Sequence, residues 1–460
     1  MNVQCKWSKG NEIKDNGDIG QLAIDGNNIT FHIDGYGDPF ARIFVGKDSS
    51  HLYKVFTTGQ SGGDSTGTLY HATKAFLYNG EDYMEFSGNK IEGISSFSFE
   101  IPEIVDWLKI RSVDFSVNDG VITIQENQIE PILIRESNPR IYLKYETNPP
   151  FLSSNDKIEM TLRNAPRIFI EYETKVDDEI VISHLRIIMR FFGLLIGKIT
   201  SAEDIRLILK EDGLRMWLFV NKDFSYNNEI LSTYRSRVNY DKIKEDLQDY
   251  FEKWFMFAED EKYTYLQDVF FHFNGKRGST VEDLFLTYCK FLEGYDLRVS
   301  NDEVKANVLK DRLDDLLKID AIKSVLSPVF KEAGSSYKAK DVAKWISTGF
   351  IERVSLKDRI KRLDNKYLQI LSANSLDVIN SDDNEFYTKI TKTRNYYSHY
   401  KQDNNGILGY AEMYRTLPLL EALIVIILLS EMGMSIDVIK EYMIRDEKYW
   451  MILSHHRPND

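Results

Sequence analysis

Residues 393–400 of the sequence read Thr393-Arg394-Asn395-Tyr396-Tyr397-Ser398-His399-Tyr400. The residues before them, 385–390, include neither proline nor glycine, so a single helix is predicted to run through both segments. An α-helix turns about 100° and rises about 1.5 Å per residue. On that helix Arg394 and His399 point about 140° apart, whereas Asn395 and His399 lie on one stripe. The segment therefore predicts a helical region that displays a charged pair.

These residue types suit one kind of chemistry. A histidine titrates near neutral pH and can accept or release a proton. An arginine is always charged and presents a planar fork that matches phosphate oxygens. Together with Asn395, the pair Arg394 and His399 suffices for metal-free cleavage of RNA, in which the ribose 2′-hydroxyl attacks its own phosphate. An arginine and a histidine five positions apart also occur by chance on the surface of many helices.

The motif Arg-Asn-x-x-x-His, followed by the strongly apolar residues 417–429, resembles the signature of the HEPN superfamily. These all-helical domains include many metal-independent ribonucleases. Residues 281–293 and 356–363 resemble helices of the Apea-like HEPN proteins of bacterial antiphage defence. That family joins a β-rich N-terminal domain to a C-terminal HEPN domain. The resemblance implies an α+β multidomain chain, with a β-rich antiparallel sensing or regulatory domain at 1–235 and an all-α HEPN bundle at 236–460.

The resemblance also implies roles for the motif. His399 would be the general base or acid, Arg394 would bind the scissile phosphate, and Asn395 would hold the imidazole or the phosphate in place. Further candidate substrate contacts are Lys392, Tyr397, Ser398 and Tyr400. The implied protein is an endoribonuclease of abortive infection that needs no cofactor or metal and leaves 2′,3′-cyclic phosphate ends. Its partners would be an RNA such as tRNA, a second copy that completes a composite site, and a phage-derived trigger.

Two other classes of protein fit the same residues. The HEPN-like bundle could be a non-catalytic dimerisation module that binds RNA or another protein. It could also belong to a toxin whose activity depends on a separate nucleotidyltransferase. The tyrosines of the motif have two possible roles: Tyr396, Tyr397 and Tyr400 could stack on unpaired bases, or they could form core or dimer contacts. Packing is favoured for at least one of them, and the roles of the others stay open. An intact Arg-Asn-x-x-x-His favours the enzyme.

Composition excludes several classes. A net charge of −13 argues against a protein that coats nucleic acid, so any RNA contact must be local. Residues 352–401 carry ten basic against seven acidic side chains, and a helix at 353–366 carries six basic ones, which a solvated face explains equally well. Cys5 and Cys289 fit no disulfide or metal framework, and the first residues are no signal peptide, so a cytoplasmic protein without membrane contact is expected. The apolar run at 417–429 is short for a membrane span and predicts a buried helix.

The first 175 or so residues predict antiparallel strands in a sandwich or in strongly twisted sheets. Turn residues separate pairs of apolar segments at 25–26, 79–80 and 118–120. A short helix is predicted at 104–108, longer ones at 179–198 and 202–209, and a strand at 216–221; His184 is expected in the core. The loop at 59–67 lacks the Gly-Lys-Ser/Thr ending of a phosphate-binding loop. Helices are predicted at 241–258, 264–273, 281–293, 302–317, 321–331, 341–348, 353–366, 385–399, 407–432 and 437–443, with Ser279 and Ser355 as caps.

Overall fold

A computed structural model of the chain provides the fold. It describes residues 1–25, 28–63, 66–79, 90–119, 121–153, 159–198, 200–209, 215–220, 236–274, 279–300, 324–325, 328–329, 331–332, 354–399, 404–446 and 448–453. The chain divides into two compact units. The first is Met1–Glu259 with Glu431–Ser435 and Glu441–Lys448, and the second is Asp260–Ser430 with Ile436–Lys440 and Tyr449–Asp460. The domain limits given above remain a prediction.

The first unit is built on strands, as predicted. Their bounds are β1 Asn2–Lys9, β2 Asp18–Asp25, β3 Asn28–Asp34, β4 Ile43–Lys47, β5 His51–Gly63, β6 Gly67–Asn79, β7 Ile94–Glu100, β8 Val113–Asn118, β9 Val121–Glu126, β10 Ile132–Arg135, β11 Arg140–Ser153, β12 Glu159–Val176, β13 Glu203–Ile208 and β14 Arg215–Val220. Twelve of them form one sheet, and β8 pairs with β9 as a separate hairpin. All pairings among the described strands are antiparallel. Strands β2 and β3 pair on either side of the predicted turn at 25–26, and β8 and β9 on either side of that at 118–120; residues 26 and 120 themselves lie outside the described residues.

Part of the large sheet closes on itself. The order β6-β3-β2-β1-β4-β5 returns to β6, because β5 pairs with one edge of β6 along most of its length. The other edge of β6 pairs with β3 in its first half and with β14 in its second half. From β14 the sheet continues through β13, β7, β12 and β11 to β10. The sequence predicted twisted antiparallel strands but gave no sign of this closure.

Aromatic side chains fill the closed part of the sheet. Trp7 and Phe31 are almost fully buried, with ring centroids 4.8 Å apart in an edge-to-face arrangement. Gly46 lies against Trp7, and a Cβ at that position would stand only 2.7 Å from Cε3 of the tryptophan. Burial of each such ring contributes roughly 1.5–3 kcal/mol, so these residues hold the strands in register.

The helices of the first unit are α1 Pro102–Leu108, α2 Asp178–Ile196, α3 Tyr240–Ile243 and α4 Leu247–Glu259. Asp177 caps α2 by accepting the N–H of Ile180 at 3.0 Å, and Gly197 ends it in the left-handed conformation. His184 lies in the core as predicted, between the hydroxyl of Tyr172 at 2.9 Å and the carboxylate of Glu259 at 3.2 Å. It is a satisfied core histidine.

One predicted helix is wrong. Residues 202–209 were expected to be helical, but β13 occupies Glu203–Ile208. Its buried residues alternate, with Ile205 and Leu207 on one face, which is the period of a strand. Because β13 pairs with both β7 and β14, the sheet on either side determines its conformation. A segment this short carries too few residues to distinguish the two periods.

The described part of the rest of the chain is helical. The bounds are α5 Glu261–Asn274, α6 Val281–Val299, α7 Leu356–Lys366, α8 Ile370–Ala373, α9 Ser375–Ile379, α10 Asp383–His399, α11 Tyr410–Glu431 and α12 Ile436–Arg445. The predicted helices at 302–317 and 341–348 lie outside the described residues, as does most of 321–331. Ser355 caps α7 as predicted, whereas Thr280 rather than Ser279 caps α6.

Helix α11 is the apolar centre of the second unit. Among the described residues it alone has the length and composition of a membrane span, with a mean hydropathy of 1.8, yet 78% of that window is buried. Core helices of soluble proteins pass the same test, and the burial matches the predicted core helix. Its acidic residue Glu421 accepts a hydrogen bond from the Tyr449 hydroxyl at 3.0 Å, which satisfies a buried carboxylate.

Candidate active site

Helix α10 carries the motif, and its inner face anchors it. Phe386, Tyr387, Ile390 and Thr393 are buried and recur at helical spacing. The side chain of Asp382 accepts the N–H of Glu385 at 2.8 Å and so satisfies a free donor in the first turn. The predicted helix at 385–399 is therefore confirmed. The residues after Thr393 lie on the last turns, where solvent can reach them.

A loop is tied to α10 beside the motif. The Thr393 hydroxyl donates to the Lys389 carbonyl at 2.7 Å and accepts the N–H of Leu408 at 2.8 Å. Lys392 passes over Gly406, where a Cβ would stand 2.9 Å from the lysine Nζ. Gly406 has a positive φ of 72°, which favours glycine at this position, whereas the flexible lysine end could move to admit a side chain. The loop thus lies close to the exposed Lys392, while its hydrogen bond to Thr393 ties it to α10.

The start of α11 is fastened to the same helix. Glu412 accepts the N–H of Gly409 at 2.7 Å, as the acidic residue of a capping box does, and its other oxygen lies 3.3 Å from Nζ of Lys389. Tyr410 and Tyr414 project from this first part of α11 and are 66% and 63% exposed. They were not among the predicted site residues. The sequence feature that could have identified them is a pair of tyrosines four positions apart at the start of the apolar helix.

Arg394 is held by two acceptors. Its Nη2 donates to Oε2 of Glu293 on α6 at 2.6 Å, and its Nη1 donates to Oδ1 of Asn395 at 3.0 Å. The side chains of Arg394 and Glu293 are 25% and 28% exposed, so the pair is half-sheltered and still reachable from solvent. Asn395 therefore contacts the arginine in this structure, where orientation of the imidazole had been one of its predicted tasks. Glu293 is a site residue that the motif alone did not predict.

His399 is the last residue of α10 and is exposed, as is Ser398. Within the described part of the chain no hydrogen bond or ion pair joins Arg394 to His399, which agrees with their predicted divergence around the helix. The rings of Tyr396 and Tyr397 meet edge to face with centroids 5.0 Å apart. Burial, with the charge of Glu282 nearby, raises the pKa of Tyr397, so its hydroxyl stays protonated at neutral pH. Tyr400 lies outside the described residues.

The basic helix α7 proves to be partly neutralised. Asp296 on α6 is buried and accepts from Nη1 of Arg359 and from Nε of Arg362, each at 2.9 Å. Buried carboxylates of this kind need such partners, because an unpaired charge is costly away from water. Two of the six basic residues counted in the sequence thus have a structural role. A broad phosphate-binding face on this helix is correspondingly less favoured.

The described residues bring together no group of three or more His, Cys, Asp or Glu side chains that could hold a metal ion. Cys289 is fully buried on α6, one turn before Glu293, and burial raises the pKa of its thiol above the usual range. A thiol in this state is a poor nucleophile. At the exposed end of α10 the groups that could act on a substrate include the guanidinium of Arg394 and the imidazole of His399.

Comparison with known families covers both parts of the chain. A family model described as ApeA N-terminal domain 1 matches residues 20–254, just over half of the chain. A second model, described as Apea-like HEPN, matches residues 286–438, which include the motif and the Glu293 position. No curated protein and no solved structure matches the chain.

Proposed function

Because the chain belongs to the ApeA-like family of HEPN proteins, we propose that it is an endoribonuclease of bacterial antiphage defence. HEPN domains commonly bind RNA and dimerise, and their family consists largely of ribonucleases. The observation that carries the proposal is the complete Arg394-Asn395-x-x-x-His399 motif, which lies on a solvent-reachable end of α10 inside the matched HEPN region. A bundle that only bound a partner would not require this arginine and histidine together.

The proposed reaction is a transesterification within the RNA. The 2′-oxygen forms a bond to the adjacent phosphorus as the bond from phosphorus to the 5′-oxygen breaks. A base removes the proton of the 2′-hydroxyl, and an acid supplies one proton to the departing 5′-oxygen, so no water and no oxidant are consumed. His399 acts in one of these proton transfers. Arg394 stabilises the negative charge that develops on the phosphoryl oxygens.

A composite site formed by two copies is part of the proposal. In one chain Arg394 turns toward α6 and Glu293, whereas His399 is exposed at the end of the helix. Two copies of α10 around a two-fold axis would supply two such pairs to one phosphate. Lys392, Tyr397, Ser398 and Tyr400 remain the proposed further contacts with the RNA. The β-rich unit would sense a phage-derived trigger or restrain the nuclease in the cytoplasm until that trigger arrives.

Incubation of the purified full chain with total cellular RNA in EDTA tests the function. We expect fragments with 2′,3′-cyclic phosphate and 5′-hydroxyl ends, and growth arrest when the protein is expressed in infected cells. Arrest without any RNA cleavage, in buffer or in extract of infected cells, would favour the non-catalytic binding module. Cleavage that EDTA abolishes would contradict the metal-free reaction.

The exposed tyrosines of α11 give a separate prediction. Replacement of both Tyr410 and Tyr414 by serine should weaken binding of single-stranded RNA by about tenfold, because stacking of an unpaired base on an aromatic ring contributes about 1–3 kcal/mol. Fluorescence anisotropy with a labelled oligoribonucleotide measures this affinity. Serine substitution of Tyr36, a fully exposed tyrosine of the first unit, is the control and should leave the affinity unchanged. Unchanged binding by the double variant would remove the two residues from the site.

A further inference from the structure

The hydrogen bond from Arg394 to Glu293 is shorter than the one from Arg394 to Asn395. It joins residues 101 positions apart at 2.6 Å, between helices α6 and α10. Asn395 receives the other terminal nitrogen of the same guanidinium at 3.0 Å. Two of the five N–H donors of Arg394 are used in this way, one toward each acceptor. Both ends of the fork are therefore fixed before any RNA is bound.

The surroundings of the pair give Glu293 a specific task. Three quarters of the Arg394 side chain is sheltered, with the buried Cys289 one turn before Glu293 on the same helix. Without a carboxylate, a cation in this place would turn outward to water. An arginine side chain that moves freely must lose its rotamer freedom when it binds phosphate, and one that is already held loses less. The remaining N–H donors of Arg394 are then held in a fixed orientation in which they can bind a phosphate.

The carboxylate also has an opposing effect, since it repels the phosphate that Arg394 would bind. More than a quarter of the Glu293 side chain is exposed, so water and salt screen this repulsion. Orientation of the guanidinium is not screened in this way, because it depends on a short directional hydrogen bond. The orienting effect is therefore expected to be the larger one.

We propose that Glu293 is a positioning residue that holds Arg394 in the orientation that binds the scissile phosphate. The proposal rests on the proposed ribonuclease function and deepens it, because it adds a residue from a second helix to the motif. Glu293 acts through Arg394 and does not itself touch the RNA. Its effect on RNA binding must then disappear when Arg394 is absent.

A double-mutant cycle with the full chain tests this dependence. The proteins are wild type, Glu293→Ala, Arg394→Ala and the double variant, and the probe is a fluorescein-labelled oligouridylate with 2′-O-methyl groups, which cannot be cleaved. We expect Glu293→Ala to weaken binding about tenfold in the wild-type background and to have no effect in the Arg394→Ala background. Glu293→Gln keeps an oxygen acceptor for Nη2 and should retain most of the affinity. Asp283→Ala, which removes an exposed carboxylate from the same helix, is the control and should change binding less than about twofold.

Each other outcome overturns the proposal. An equal loss in both backgrounds would mean that Glu293 only supports packing, and tighter binding by Glu293→Ala would mean that it masks Arg394. If Glu293→Ala does not fold, as judged by its thermal unfolding, the same cycle is run with Glu293→Gln, whose smaller loss must also vanish without Arg394. RNA cleavage by wild type together with an additive cycle would refute this inference alone. Absence of both cleavage and binding by wild type would refute the proposed function and, with it, the role of Glu293.

Discussion

Replacement of Arg394 or of His399 by alanine is expected to lower the rate of RNA cleavage by about 10²- to 10⁴-fold. Loss of a general acid or base costs about that much, and loss of a group that stabilises charge in the transition state costs about 10²- to 10³-fold. His399 is exposed at the end of α10, so its removal opens no cavity, whereas three quarters of the Arg394 side chain is sheltered and its removal leaves Glu293 without this partner. The thermal unfolding of His399→Ala should stay close to that of wild type, and Arg394→Ala should unfold at a somewhat lower temperature, so cleavage rates are compared where all proteins are folded.

Matched controls separate the motif from general effects of charge. Arg445→Ala removes an arginine that is 65% exposed and forms an ion pair with Glu441, four positions earlier on the same helix. His71→Ala removes an exposed histidine of the first unit. Both control variants should cleave RNA at the wild-type rate. Wild-type activity in Arg394→Ala and His399→Ala would instead assign the cleavage to another site or to a contaminant.

The same two variants test the composite site. A mixed dimer of Arg394→Ala and His399→Ala contains one intact arginine and one intact histidine, contributed by different copies. If two copies surround one phosphate, mixing the inactive proteins should restore measurable cleavage, and sedimentation should give a dimer. A fully active monomer, or a mixture that stays inactive although mixed dimers form, would contradict this part of the proposal.

The second large effect is the loss of stability expected when Asp364, which is hydrogen-bonded to Tyr387 of helix α10, is replaced. Asp364, at the end of α7, is fully buried and accepts the N–H groups of Leu371 and Ser372 at 2.8 and 2.9 Å and the hydroxyl of Tyr387 at 2.6 Å. Burial raises the pKa of this carboxyl, and the hydrogen bonds oppose that rise. Asp364→Ala would remove the acceptor of two buried donors, the Leu371 N–H and the Tyr387 hydroxyl, and of the half-buried Ser372 N–H. We expect it to lower the free energy of unfolding by roughly 3–5 kcal/mol, because each unsatisfied group costs about 1–3 kcal/mol.

Urea denaturation measures this loss, and two further variants grade it. Tyr387→Phe removes only one of the three hydrogen bonds and should cost about 1 kcal/mol. Asp358→Ala, at the exposed first turn of the same helix, should cost less than about 1 kcal/mol. Because Tyr387 lies on α10 two turns before Arg394, RNA cleavage should fall with the fraction of folded protein. An Asp364→Ala protein as stable as Asp358→Ala would show that this network contributes little.

Local patterns in the sequence predicted the elements that their own residues determine. The turn at 118–120 between alternating apolar residues predicted the hairpin β8–β9, and Ser355 before the basic residues of α7 predicted its cap. The motif helix followed from 385–399 in the same way. Strand β13 was missed because its conformation depends on pairing with β7 and β14, which lie far away in the chain.

In the candidate site too, residues that are close in sequence could be predicted, whereas those brought together by packing could not. Arg394, Asn395 and His399 could be found because their spacing on one helix is visible in the sequence. Glu293 could not be assigned to them, since the bond to Arg394 crosses 101 residues and depends on how α6 packs against α10. The tie between Thr393 and Leu408 and the exposed start of α11 likewise depend on tertiary packing. Contacts of this kind carry no local signal that a single sequence could reveal.

In the proposed reaction the 2′-hydroxyl of the RNA is the nucleophile, and Arg394 and His399 on α10 promote its attack on the phosphate. The most direct test is incubation of wild-type protein in EDTA with two oligonucleotides, one all-RNA and one with a 2′-deoxy nucleotide at the position that is cut. We expect the all-RNA strand to be cleaved to a 2′,3′-cyclic phosphate and a 5′-hydroxyl, and the other strand to stay uncut at the deoxy position. Cleavage of the deoxy strand at that position, or products with a 5′-phosphate, would contradict the proposed reaction.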